Sequence, residues 1–130
     1  MFDLKKWIAK VTDFCTCDLL FSGSATGDVT LSKSVANYKK LIVEYHDNDG
    51  AKFTKVINNN NVVNFSTYFE AVRPTTRVLY IKAYIGTFNG TTLIKAYNRQ
   101  SAGGGTPAEG NYIYIDKIYG CKSIVGGGTA

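Results

Sequence analysis

From Asp18 onward the chain falls into short segments whose apolar residues recur at every second position, each bounded by Gly, Asn or Asp. Period two marks a strand with one covered face, and turn residues at this spacing leave no room for helices. The segments are 19–22, 28–31, 40–46, 52–57, 62–69, 77–85, 92–98 and 112–119. Strands this short and this numerous predict an all-β fold, an antiparallel β-sandwich of jelly-roll type with about eight strands. A closed barrel is the alternative.

Alternation also predicts which faces are covered. In VVNFSTYF, Val63, Phe65 and Phe69 share a face, with Asn64 and Ser66 opposite. In RVLYIKAYIG the expected core face is Leu79, Ile81, Ala83 and Ile85, which leaves Tyr80, Lys82 and Tyr84 outside. In the last segment Ile113 and Ile115 oppose Tyr112, Tyr114 and Asp116. Segment 52–57 does not alternate cleanly.

Residues before Asp18 follow another rule. Leu4, Trp7, Ile8, Val11 and Phe14 are spaced as on a helix, with Asp3 as N-cap and Phe2 and Trp7 as a hydrophobic staple. So short a helix is marginal alone, so its apolar stripe must be covered by its own sandwich or by other copies. We expect residues 1–17 to be an oligomerisation or attachment helix, 18–123 the sandwich head, and 124–130 a Gly-rich tail. Lysines thread the leader, so it does not read as a secretory signal, and no apolar run is long enough for a membrane helix.

The chain has 130 residues, the size of one domain, and a net charge of +5. Its Lys and Arg are scattered, which argues against a nucleic-acid stripe, although a diffuse excess can steer anionic glycans or teichoic-acid-like polymers. Cys15, Cys17 and Cys121 lack the paired spacing of a zinc knuckle and read as small buried hydrophobes in a reducing compartment.

Few residues suggest reaction chemistry. Asp47, Asp49 and Gly50 resemble the start of a calcium loop, but the fifth position is Ala51 and the twelfth is Asn58, so the ligand pattern fails. Asp-Gly between strands is instead a hairpin signal. His46 has no nucleophile motif to serve, and Glu44 with Glu70 is a chance carboxylate pair. No catalytic residue, metal or cofactor is expected. Asn58–Asn61 reads as a wide polar turn with amides suited to sugar hydroxyls. On the expected outer faces stand Tyr80, Lys82, Tyr84, Lys95, Tyr97, Arg99, Tyr112 and Tyr114. If their strands are neighbours, they form an aromatic and basic surface for glycan or subunit contact.

LKKWIAKVT, then LLFSGSATGDVTLSKSVANYKKLIVEYHDNDG, and finally NYIYIDKIYGCK together resemble small proteins encoded beside the tail genes of phages and prophages of Gram-positive, often gut, bacteria. The resemblance covers residues 2–122 and brings no catalytic residues. It implies a tail-fibre or receptor-binding head in the virion, assembled in the host cytoplasm. Such a head is a homotrimer that meets other tail or baseplate proteins and a bacterial surface polysaccharide or teichoic acid, without nucleic acid and without membrane insertion. A monomeric carbohydrate-binding module or small lectin is the alternative.

Overall fold

The computed structural model describes residues 16–122. The expected leader helix with Leu4, Trp7, Ile8, Val11 and Phe14, together with Cys15 and the 124–130 tail, lies outside the described residues. The strands are β1 (Cys17–Ala25), β2 (Val29–Thr30), β3 (Lys40–Asp47), β4 (Lys52–Asn58), β5 (Asn64–Pro74), β6 (Leu79–Asn89), β7 (Thr92–Ala102), β8 (Ala108–Glu109) and β9 (Ile113–Cys121). Each expected segment corresponds to one of them. The short β8 and a 3-10 turn at Val35–Asn37 are additions.

The strands form two separate antiparallel sheets, so the fold is a sandwich and not a closed barrel. Sheet A has the order β1-β9-β3-β4, and sheet B the order β2-β7-β6-β5, with β8 beside β7. Their inner faces meet in one core that includes Leu41, Val43, Phe69, Tyr84, Phe88, Leu93, Ile113 and Ile115, each fully covered. Phe69 is 5.3 Å from the Tyr45 ring across the sheets and 5.9 Å from Tyr84 within its own. Such aromatic contacts stabilise a core beyond the area that they bury.

The expected inner faces of β5 and β9 are observed at Phe65 and Phe69 and at Ile113 and Ile115, whereas Val63, expected with Phe65 and Phe69, lies before β5 and is 51% exposed. The parity expected for β6 is reversed. Lys82 and Tyr84 are buried, whereas Leu79 is 44% exposed and Ile81, Ala83 and Ile85 face outward. The polar atoms explain how this is tolerated. The Tyr84 hydroxyl donates to the Gly27 carbonyl at 2.7 Å, and burial pushes its pKa upward. The Lys82 ammonium meets Asp49 at 2.6 Å and Asp47 at 3.5 Å. A buried polar group with a partner is permitted inside, and the large Tyr ring fills more core volume than Ile.

Gly120 in β9 is required by close approach. A Cβ built there would lie 2.4 Å from Cδ2 of Tyr38, whose fully buried ring crosses that backbone. The Tyr38 hydroxyl donates to Asp18 at 2.6 Å, and desolvation with that bond raises the phenol to about 12.

Cys17 and Cys121 stand opposite each other in β1 and β9 and form a disulfide with an S–S distance of 1.99 Å. This corrects the reading of these two as free, buried thiols. It ties the two ends of the described chain together at one edge of sheet A.

Candidate functional site

The outer face of sheet A carries a constellation that the turn chemistry of β3–β4 and a bulge in β9 create together. In the β3–β9 register Glu44 pairs with Lys117 and Tyr45 with Ile115, so Asp116 is the extra residue. A bulge re-aims one side chain. Here it brings both Asp116 carboxylate oxygens to His46 Nδ1, at 2.8 and 2.7 Å. The carboxylate only accepts, so Nδ1–H donates, and in the neutral ring Nε2 is the remaining acceptor.

Tyr114 pairs with His46 across the strands, and their rings stack at 4.8 Å with planes 5° apart. Lys52 flanks His46 on the β4 side. The groove over this face has a volume of about 510 Å³ and is lined by Glu44, Tyr45, His46, Lys52, Phe53, Thr54, Asp116 and Lys117. Both signs of charge, two hydroxyl-bearing residues (Tyr45 and Thr54) and the aromatic residues Tyr45, His46 and Phe53 thus line one open space. His46 and Asp116 each keep 28% of their side-chain surface exposed. They are accessible, yet held by the pair that they form.

The β3–β4 turn beneath is a hairpin, and its acids are already engaged. Asp47 Oδ1 accepts from the backbone N–H of Asp49 and of Ala51, both at 3.0 Å. Gly50 takes the left-handed φ of +89° that the turn needs. Asp49 also accepts from Arg73, and the Lys82 and then the Arg73 bonds hold its carboxyl below the usual range. An internal ammonium stands where a calcium reading of this loop would put a cation. Glu44 and Glu70 lie on outer faces of different sheets and cannot form a carboxylate dyad. Among the described residues no three His, Cys, Asp or Glu gather as a metal site.

The expected aromatic and basic surface is not continuous. β9 belongs to sheet A, while β6 and β7 belong to sheet B, so Tyr114 stands on the opposite side of the molecule from Tyr97 and Arg99, and Tyr112 precedes β9, its N–H donating to Asn98 of β7 at 3.2 Å. Lys82 and Tyr84 are interior, and Tyr80 shares their inward parity near the end of β6. Lys95 is exposed beside a β7 bulge, where its N–H is bonded to Asp28 at 2.7 Å. Tyr97 and Arg99 do meet, with the guanidinium carbon 3.6 Å from the ring centroid. In the Asn run, Asn59 is buried and its amide nitrogen is bonded to the carbonyls of Val35, Tyr38 and Val62. It is a structural clamp and is not available to sugar.

Asp116 was not singled out as a site residue from the sequence. Its one signal is that it follows Tyr112 and Tyr114 on the outward face, but its meeting with His46 depends on the β3–β9 pairing across a separation of 70 residues. No protein-family model matches the chain, and a comparison with curated proteins finds no match.

Proposed function

We propose that the chain is a non-catalytic binding head that contacts cell-surface glycan through the groove of sheet A and works as a homo-oligomer in a phage or prophage tail fibre. The observation that carries the binding reading is the open groove lined by His46 and Asp116, with Tyr114 stacked on His46 beside it. Carboxylates accept from sugar hydroxyls, lysines donate to them or to polymer phosphates, and an aromatic ring covers the apolar face of a sugar. His46 has a carboxylate to orient it, but of the two hydroxyls in the groove lining that of Tyr45 already donates to the Glu70 carbonyl at 2.9 Å, and among the described residues no hydroxyl is hydrogen-bonded to the His46–Asp116 pair. Binding is therefore preferred to catalysis.

The sandwich is the architecture that jelly-roll heads use, and the resemblance of residues 2–122 to tail-associated proteins supports the virion setting and a trimer. The disulfide supports use outside a reducing cytoplasm, with its formation following assembly and release. The second reading, a monomeric carbohydrate-binding module, is favoured by the groove being built within one chain.

Titration of the protein with Gram-positive wall polysaccharide and with teichoic acid tests the proposal. Binding is expected, and Tyr114→Ala is expected to weaken it by roughly ten-fold or more. No binding to either polymer, or binding unchanged in Tyr114→Ala, removes the glycan reading. Light scattering separates the oligomeric head from the monomeric module.

A further inference from the structure

The outer face of sheet B is apolar where an outer face is ordinarily polar. Across its three long strands the registers form rows: Tyr68–Ile85–Tyr97, and next to it Glu70–Ala83–Arg99. Tyr68 is 54% exposed and Val72 and Ile94 each 48%. The reversed parity of β6 is what sends Ile81, Ala83 and Ile85 to this side. β6 is the middle strand of the three, so these residues are the centre of the face and not its rim.

We propose that this face joins copies of the chain, with the β5 side of one copy meeting the β7 side of the next about an axis running along β6. Continuity is the first argument. The exposed apolar residues Tyr68 and Val72 of β5, Leu79 of β6 and Ile94 of β7 stand on three neighbouring strands, whereas surface hydrophobes ordinarily stand singly.

Charge sets the axis. Glu70 and Arg99 stand in the same row on opposite sides of Ala83. Rotation about an axis along β6 exchanges the two sides at constant height, so Glu70 of each copy meets Arg99 of its neighbour, and Tyr68 meets Tyr97. A two-fold across the strands instead sets Glu70 on Glu70 and Arg99 on Arg99, which like charge opposes. Glu109 on β8 continues the row past Arg99, farther from β6 than either member of the proposed pair. The same contact closes around two or three copies. It deepens the homo-oligomer part of the function proposed above and is independent of glycan binding.

The test is mass in solution for the full chain and four variants. Wild type is expected to be oligomeric and Ile85→Asp monomeric. Glu70→Arg and Arg99→Glu are each expected to weaken association by about ten-fold or more. Because Glu70→Arg places Arg at both sides and Arg99→Glu places acid at both, an equimolar mixture of the two is expected to associate again, as is the double variant E70R/R99E. A monomeric wild type overturns the proposal, as does an oligomer indifferent to both charge reversals or a mixture no tighter than its components. If Ile85→Asp fails to fold, the charge variants alone decide. Glycan titration of the same samples reads the groove separately, so failure of one proposal leaves the other standing.

Discussion

The two outer faces of this sandwich are built by the same strand alternation and differ in what accompanies their apolar residues. That of sheet A has one apolar row, Leu19–Tyr119–Ile42–Val56, and beside it His46, Lys52, Asp116 and Lys117 around an open groove. That of sheet B presents Tyr68, Val72, Ile81, Ile85 and Ile94 with Glu70 and Arg99 in one row. An antiparallel sheet with one face on the core needs polar residues on the other only where that other face meets water. The two proposals above divide the molecule accordingly, with ligand at the groove of sheet A and assembly on the outer face of sheet B. Removing the interior support of either side, or altering the sides themselves, tests that division by the size of the effect.

The largest expected effect comes from Lys82. Lys82→Ala leaves Asp47, only 4% exposed, without its ammonium partner in the interior. Loss of one partner of a buried pair costs about 3–5 kcal/mol. Lys52→Ala, on the groove side, is expected to change stability by under about 0.5 kcal/mol. Urea denaturation of both variants checks the ratio, and similar values for the two would mean that Lys82 has no greater weight than a surface lysine. Gly120→Ala belongs to the same class. It drives a methyl into the Tyr38 ring and is expected to cost about 1–3 kcal/mol.

The disulfide follows. Cys17 and Cys121 are 104 residues apart and close nearly the whole described chain. Its reduction is expected to lower stability by about 2–4 kcal/mol, read as a lower denaturation midpoint in reductant. An unchanged midpoint would show that the pairing of β1 with β9 suffices without the covalent link.

These interior features were the least legible in the sequence. The strands themselves were readable because alternation and turn residues agree along most of the chain, and the hairpin at Asp47–Gly50 because Gly50 must take positive φ. The inner face of β6 was not readable, since LYIKAYIG is apolar on both sides and only a partner decides whether Lys82 is tolerable inside. That partner comes from another sheet, with Asp49 33 residues away. The groove failed for a similar reason. His46 and Asp116 carry no local signal of each other, and a bulge at Asp116 is visible only once β9 is laid against β3. Gly120 looked like part of a motif, whereas its cause is the Tyr38 ring.

Acidification is expected to act on the Asp49 cluster. The carboxyl of Asp49 is held below its ordinary pKa by its bonds from Lys82 and Arg73, so its folded form prefers the charge. Such a group adds stability that is fully present above the unfolded pKa, near 4, and is lost as pH falls through the lower folded value. Thermal midpoints should therefore fall below about pH 4 in the wild type, and Asp49→Asn should flatten that fall. An equally steep fall in the variant would assign the acid sensitivity to other carboxylates, of which Asp18, lowered by Tyr38 and Lys33, is the next to examine.

The smallest stability effect is expected where the proposed binding function resides. His46 and Asp116 are each 28% exposed, so water shares the stabilisation of their pair. Partly exposed pairs contribute about 0–1 kcal/mol, and Asp116→Asn retains one acceptor oxygen for Nδ1–H. The variant should therefore unfold within about 1 kcal/mol of wild type while losing its grip on glycan, because a carboxylate accepts from sugar hydroxyls more strongly than an amide does. The comparison of the faces turns on the pairing of these two readouts. A loss above about 2 kcal/mol would place the dyad with Lys82 among structural pairs that a fold cannot do without. A small loss with binding intact would leave the groove without a use for the geometry that its bulge builds. A small loss with weakened binding, in a protein whose mass in solution is unchanged, is the outcome that keeps the groove of sheet A for ligand and the outer face of sheet B for assembly.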